Sequence, residues 1–413
     1  MTNKILSIAL FTYSTKPRGG VIHTLALGEA LHELGHQVCI YALDKDNIGF
    51  HRSVGCSSKL VPAKPAVNRQ LLLRKDFIQN QIKNRDVDLV DELIKQRIQE
   101  FVDYLSRETE TYDIYHSQDC ISSNALKILR DRKIVPSFIR TVHHIDEFNS
   151  PYLQECHDRS IVEPDLCLSV SNYWQQQIQQ QYQIHAPVVI NGVDLKRFSS
   201  QPSEKETELK KRLGINSDAV YLTIGGIEPR KNSLRLLEAF CKVLKTRSQA
   251  QLIIAGGETL FDYEPYRLKF LEIVKQNKIT IGKSLILPGV MADEDIPALY
   301  RCADAFVFPS VKEGWGLVLL EAIASGLPII VANIPPFTEF LAEKSALLVN
   351  PYSSDDIATA MRDILDRNLA RKLIYNSKDI PSQYTWQKSA QMHLKHYSKY
   401  GRTPVRPYPT SYF

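Results

Sequence analysis

Short apolar runs, each followed by a loop and then a segment of helical spacing, recur along nearly the whole chain. No other feature limits the possible folds so strongly. Lys4–Leu10 is an Ile/Leu-rich run that reads as a buried strand. A polar loop, Tyr13–Gly20, follows it. Leu27, Leu31 and Leu34 then recur at helical spacing, and Gly35 stands where a helix C-cap belongs. Gln37–Leu43 returns as a second strand. Such a β-loop-α-β unit has parallel strands, which implies an α/β sheet.

Further strands are expected at Ile114–His116, Phe138–His143 and Leu166–Val170, with Ser171 as N-cap of a Gln-rich helix over 172–182. A second run is cleaner: Val220–Gly226, Leu252–Gly257, Leu285–Val290, Ala305–Pro309, Pro328–Val331 and Ala346–Val349. We read two Rossmann-like α/β domains joined near residues 190–200, an N-terminal one over 1–190 and a C-terminal one over 191–384. A length of 413 residues suits that count. Residues 68–109 carry charges of alternating sign at helical spacing, so a solvated or cleft-lining helical insertion is expected there. The segment 385–413 opens with an amphipathic helix bearing Trp386, Ala390, His393, Leu394 and Tyr397.

Composition removes several classes. The 51 basic and 46 acidic residues leave a net charge of +5, too little for a nucleic-acid protein of this length. Seven scattered cysteines with no C-x-x-C pair argue against a disulfide framework or a structural zinc site, and fit a reducing cytoplasm. The first apolar run is too short for a signal peptide, and no window approaches a membrane span. A cytoplasmic protein is expected.

In an open α/β sheet, ligands bind at the carboxyl ends of the strands, where loops meet helix N-termini. Gly19-Gly20 ends the first such loop, where bare backbone can approach a phosphate, although a simple turn explains it equally well. Neither G-x-G-x-x-G nor G-x-x-x-x-G-K-[ST] occurs, which counts against a dinucleotide dehydrogenase and a P-loop kinase. The first strand of the second domain ends in Gly225-Gly226, followed by Arg230-Lys231 at a helix start. Two cations there oppose the helix dipole unless an anion offsets them, and a fork beside a point charge suits a diphosphate. Gly257 and Val290 end the next two strands. The richest segment runs from Phe308 through Glu313, Gly314 and Gly316 into an apolar helix that starts near Leu317 and holds Glu321. A carboxylate among Leu319, Leu320, Ala322 and Ile323 needs hydrogen-bond donors, and sugar hydroxyls supply them. Thr141-Val142-His143-His144 closes a first-domain strand, and one of the two imidazoles there is free to meet a sugar hydroxyl. Three D-x-D spacings, from Asp44, Asp86 and Asp293, are what chance supplies among so many acidic residues, so no metal site is expected.

Gly19-Gly20-Val21, Gly35-His36-x-Val38, Asn191-Gly192-Val193-Asp194, the Gly225…Arg230-Lys231 loop and the E-x7-E pair Glu313/Glu321 occur in this order. Together they resemble a retaining glycosyltransferase of family four, the group-1 glycosyl transferases with the GT-B fold. The likeness runs from residue 4 to about 398. It implies two Rossmann-like domains facing across a cleft, with the C-terminal helix crossing back to the first. It also implies a nucleoside-diphosphate sugar as donor, UDP- or GDP-linked, with no cofactor and no divalent metal. Arg230 and Lys231 would neutralise the diphosphate. Gly19, Gly20, Gly226, Gly257, Val290, Gly314, Gly316 and Leu317 would line the donor, and Glu321 would accept from the ribose. Glu313 and His143 would contact the transferred sugar, the Thr-Val pair favouring His143 over His144. Trp315 stands where the family more commonly has Phe. The acceptor is a small molecule, glycan or lipid-linked group that no motif specifies, and the helical, Lys/Arg-bearing insertion leaves room for peripheral membrane contact. The competing readings are a GT-B nucleotide-sugar epimerase and a non-catalytic nucleotide-sugar-binding protein.

Overall fold

The computed structural model describes residues 4–45, 47–64, 82–148, 150–257 and 264–400. It divides into two compact units, one of residues 1–190 with 386–413 and one of residues 191–385. The parts of 68–109 before residue 82, and of 385–413 beyond residue 400, lie outside the described residues, as does Asp46.

In the first unit β1 (Ser7–Thr12), β2 (Gln37–Asp44), β3 (Ser57–Pro62), β4 (Ile114–Ser117), β5 (Ile139–Val142) and β6 (Leu166–Ser169) form one sheet in the order 3-2-1-4-5-6. Every pairing is parallel. The near-continuous apolar strands reflect burial on both faces. The edge strand β3 has no apolar run to betray it, since only Val61 of Ser57–Pro62 is buried.

Helix α1 (Gly19–Glu33) follows β1 and ends with Gly35 in the left-handed region at φ +89°. Helix α2 (Ile82–Leu105) corrects one expectation. It is no solvated insertion: Ile98, Phe101, Val102 and Leu105 are buried in the same core as Phe11, Tyr41 and Leu126. Arg97 and Glu100 on this helix form a buried ion pair at 2.6 Å. The apolar positions recur at i, i+3, i+4 and i+7 in the helix's last turns, a stripe that the dense charges around it obscured. Helix α3 (Cys120–Asp131) is capped by Asp119, α4 (Pro151–Val162) by Ser150, and α5 (Asn172–Tyr182) by Ser171, each side chain accepting from a first-turn amide. The chain's last described helix, Trp386–Tyr400, belongs to this first unit, with Gln387 donating to Glu33 at 3.2 Å.

The second unit repeats the plan. Its strands β7 (Val220–Ile224), β8 (Gln251–Ala255), β9 (Leu285–Gly289), β10 (Ala305–Phe308), β11 (Ile329–Ala332) and β12 (Leu347–Val349) are ordered 12-11-10-7-8-9. Numbered from its own first strand, that is again 3-2-1-4-5-6. Each unit is Rossmann-like, and in each the order reverses between the first and fourth strands, β1/β4 and β7/β10. The loops leaving those strands diverge, and the crevice between them is where such sheets hold ligands. Among the described residues no helix is long and apolar enough to cross a membrane.

Candidate functional site

The switch point of the second unit gathers the charged residues. Gly225 follows β7, and its φ of +152° suits glycine. A Cβ there would lie 2.9 Å from Lys231 Cε and 3.0 Å from Cδ, so the bare backbone leaves room for the lysine stem. Gly226 follows it. On the neighbouring strand a Cβ at Gly256 would sit 2.6 Å from the Gly225 carbonyl carbon, and one at Gly257 would meet Val290 Cγ2 at 2.5 Å. The ends of β7, β8 and β9 thus touch through glycine, with exposed Val290 at the margin. Glu258 lies outside the described residues.

Arg230 and Lys231 stand just before the helix rather than in its first turn. They occupy a 3-10 turn, Pro229–Lys231, closed by Asn232 at φ +58°, and helix α7 begins at Ser233 if α6 is Lys205–Leu213. Asn232 is a residue that sequence reasoning overlooked. Its side-chain amide donates to the Pro309 carbonyl at 3.0 Å and the Pro351 carbonyl at 2.6 Å, and the Val311 amide donates to the Arg230 carbonyl at 3.0 Å. These bonds tie the cationic turn to the loop leaving β10.

That loop carries Glu313, buried and paired twice. Lys231 Nζ lies 2.7 Å from Glu313 Oε1, and Arg230 Nη1 lies 2.7 Å from Oε2. Glu228, also buried, holds the other end of the guanidinium at 3.3 Å. The ammonium sits 4.7 Å over the ring of Phe308, a cation–π contact. Burial pushes the Lys231 pKa below the ordinary lysine value, with Arg230 adding to that and Glu313 opposing it. Two cations and two carboxylates make a nearly neutral cluster that can exchange a carboxylate for another oxyanion.

Gly314 and Gly316 bracket Trp315, which stacks on Phe340 at 5.0 Å and lies 5.2 Å from Tyr384. Gly316, at φ +115°, opens helix Leu317–Ala324 and packs against Leu319 and Phe337. Glu321 on this helix is not part of the charged cluster. It accepts from the Tyr300 hydroxyl at 2.7 Å, and burial raises its pKa while that bond opposes the rise. Tyr300 comes from the preceding strand-helix unit and carries no motif.

In the first unit, Gly19 and Gly20 open α1 with clear space where a Cβ would point. Gly19 is exposed and Gly20 half-buried, and no acidic residue occupies that first turn. His143 stands just past β5. Its Nε2 is 3.1 Å from Gln118 Oε1, and its ring meets the His23 ring edge-on at 4.8 Å. Burial, with the charges of His23 and Arg140, depresses its pKa well below the usual imidazole value. His144 goes elsewhere, pairing with Asp146 at 2.9 Å. The two neighbours therefore separate, His143 into a buried histidine cluster and His144 onto a carboxylate. Among the described residues no three His, Cys, Asp or Glu side chains are grouped as metal ligands.

Two family models match in succession, glycosyltransferase family 4 over residues 17–197 and glycosyl transferases group 1 over residues 205–380. The chain belongs to the family-four glycosyltransferases. Its fold is GT-B. A glycosyltransferase of Methanocaldococcus jannaschii is 29% identical over 209 residues, 49% of this chain and 51% of that protein. The alpha-monoglucosyldiacylglycerol synthase of Streptococcus pneumoniae is 32% identical over 183 residues, 43% of this chain and 39% of that one. The matched stretches thus span about half of these relatives or less. Among solved structures, Anabaena HepE in complex with UDP-glucose superposes with a TM-score of 0.73 at 16% identity, covering 95% of this chain and 100% of HepE.

Proposed function

We propose that this glycosyltransferase moves a sugar from a nucleoside-diphosphate donor to an acceptor hydroxyl, with retained anomeric configuration and without a divalent metal. One observation carries the reading: Arg230 and Lys231 converge on Glu313 at the switch point between β7 and β10. A diphosphate arriving there takes over the cations from the carboxylate. As the glycosidic bond breaks, the leaving nucleoside diphosphate gains charge, and the two cations stabilise that charge more than they stabilise the bound donor. Protein cations then do what a metal does in other phosphate-transfer sites, and the surrendered Glu313 turns to the sugar. Glu321 takes the ribose hydroxyls, while Gly226, Gly257, Val290, Gly314, Gly316 and Leu317 line the donor. In the first unit the amides of Gly19-Gly20 at the start of α1 receive phosphate or sugar oxygens, and His143 takes a substrate hydroxyl. A UDP-sugar is favoured because HepE, which shares the fold, binds UDP-glucose. A lipid-linked acceptor, a peripheral membrane site and a cytoplasmic setting fit the diacylglycerol product named for the pneumococcal relative.

Thermal-shift measurements with UDP-, GDP- and ADP-sugars test the donor, since a ligand at 100 times its Kd adds about 2.7 kcal/mol. Turnover then persists in excess EDTA, and NMR of the product reads a retained anomer. Complete loss restored by Mn²⁺ overturns the metal-free reading. Conversion of the donor sugar without any acceptor points instead to an epimerase.

A further inference from the structure

The histidine cluster of the first unit contains a hydrogen-bonded chain that ends on His143. Gln118, just past β4 and buried, bridges two imidazoles: its Oε1 lies 3.1 Å from His143 Nε2 and its Nε2 lies 3.2 Å from His116 Nε2. His116 is fully buried. Its Nε2 is also 2.8 Å from the Thr141 hydroxyl, and its Nδ1 is 2.7 Å from the Tyr397 hydroxyl, which the C-terminal helix contributes from 281 residues away.

A primary amide has one end that only accepts and one that only donates. Spanning two imidazole nitrogens, it therefore demands a proton on one of them and a lone pair on the other. With the carbonyl toward His143, His143 carries its proton on Nε2. The NH₂ group meets the bare Nε2 of His116, whose proton then sits on Nδ1 and is donated to Tyr397. Thr141 donates to the same bare nitrogen. The two donors share the one lone pair of that nitrogen, and the orientation of the amide, carbonyl toward His143 and NH₂ toward His116, sets the direction of the chain. His143 is left with a lone pair on Nδ1, and among the described residues that atom has no protein hydrogen-bond partner.

We infer that Gln118 is the positioning residue of His143, fixing it as the Nε2–H tautomer so that Nδ1 accepts a hydrogen bond from a substrate hydroxyl rather than donating one. The surroundings keep the ring neutral. His23 faces it from α1, His116 from β4 and Arg140 from β5, with His144 adjacent; His393 and Tyr397 of the C-terminal helix back His116. The cluster thus selects a tautomer, and the C-terminal helix anchors that selection from outside the β5 loop. The kinetic consequence rests on the reading that His143 touches substrate; the tautomer does not.

The test is long-range ¹H–¹⁵N spectroscopy of the full chain labelled at histidine, beside kinetics with a cleaved donor. In the wild type His143 is expected as the Nε2–H form and His116 as the Nδ1–H form. Gln118→Leu removes both bonds, and His143 becomes a mixture of tautomers, with kcat down about tenfold, the worth of one hydrogen bond, and donor KM nearly unchanged. Gln118→Glu keeps the length and polarity should the leucine variant fold poorly. A carboxylate accepts from both rings, so His143 titrates at higher pH and the acid side of the kcat profile moves upward with it. A wild-type His143 in the Nδ1–H form, or a tautomer and titration indifferent to both substitutions, overturns the inference. A tautomer that shifts while kcat stays level supports the bridge and overturns the assignment of His143 to substrate.

Discussion

The two units share one strand order yet solve different problems at their switch points. All eleven histidines of the chain lie in residues 1–190 and 386–413, and none lies in 191–385. The second unit works with permanent charge, two cations and two carboxylates within direct contact at the ends of β7 and β10. The first works with buried neutral imidazoles joined by an amide and two hydroxyls. A diphosphate is a multiply charged ligand and calls for charge that survives any physiological pH. A hydroxyl calls only for a directed donor or acceptor, which a neutral, tautomer-locked ring supplies at lower desolvation cost. Fold and function separate here: the same topology carries either chemistry.

The comparison breaks most visibly through stability. Phe101→Ala empties a fully buried ring site under the first sheet and is expected to cost about 3–5 kcal/mol, read by denaturant unfolding; a cost near zero would return α2 to a solvated helix. Next comes Lys231→Ala in the second unit, expected to lose about 3 kcal/mol of transition-state stabilisation, on the order of a hundredfold in kcat. Arg230→Ala behaves similarly, and the double variant is less than additive because both serve one anion. Near-native kinetics for both single variants would remove the diphosphate from this loop.

Acid should then divide the units. His116, His143, His157 and His393 are all held below the ordinary value of 6.5 by burial, His157 to about 4 and His393 to about 3. Below pH 6.5 the unfolded chain takes up protons that the folded unit refuses, so stability falls as pH falls. Each such histidine costs up to about 1.4 kcal/mol per pH unit across its window. Hydrogen exchange as the pH falls from 7 to 5 is expected to loosen residues 1–190 and the C-terminal helix before 191–385. Simultaneous loosening would refute the division. The smallest effect belongs to Glu321→Ala, which should raise donor KM by about tenfold while kcat falls less, as expected for a residue that binds ground and transition states alike. Tyr300→Phe should follow in the same direction but more weakly.

Much of the second unit's site was legible because its parts are local. Gly225, Arg230 and Lys231 lie within seven positions, and Glu313 to Glu321 form one loop and helix, so glycine, charge and apolar context sit side by side in the chain. Even there the roles of Asn232 and Tyr300 were not visible, since each acts through a partner on a segment distant in the chain. The first unit was legible as a fold but hardly as a site: Gly19-Gly20 and the His143-His144 pair were visible, the bridge was not.

The sequence by itself determined the two Rossmann-like units, their parallel strands, the glycine-bearing strand ends and the cation pair, because strand and helix periods and backbone tolerance are written in adjacent residues. Only the tertiary structure decided that Glu313 clasps both cations, that α2 closes the first core, and that Gln118 joins His143 to Tyr397. Those are contacts between residues tens to hundreds of positions apart, and side-chain protons there take their places from whichever partner packing brings within hydrogen-bond reach.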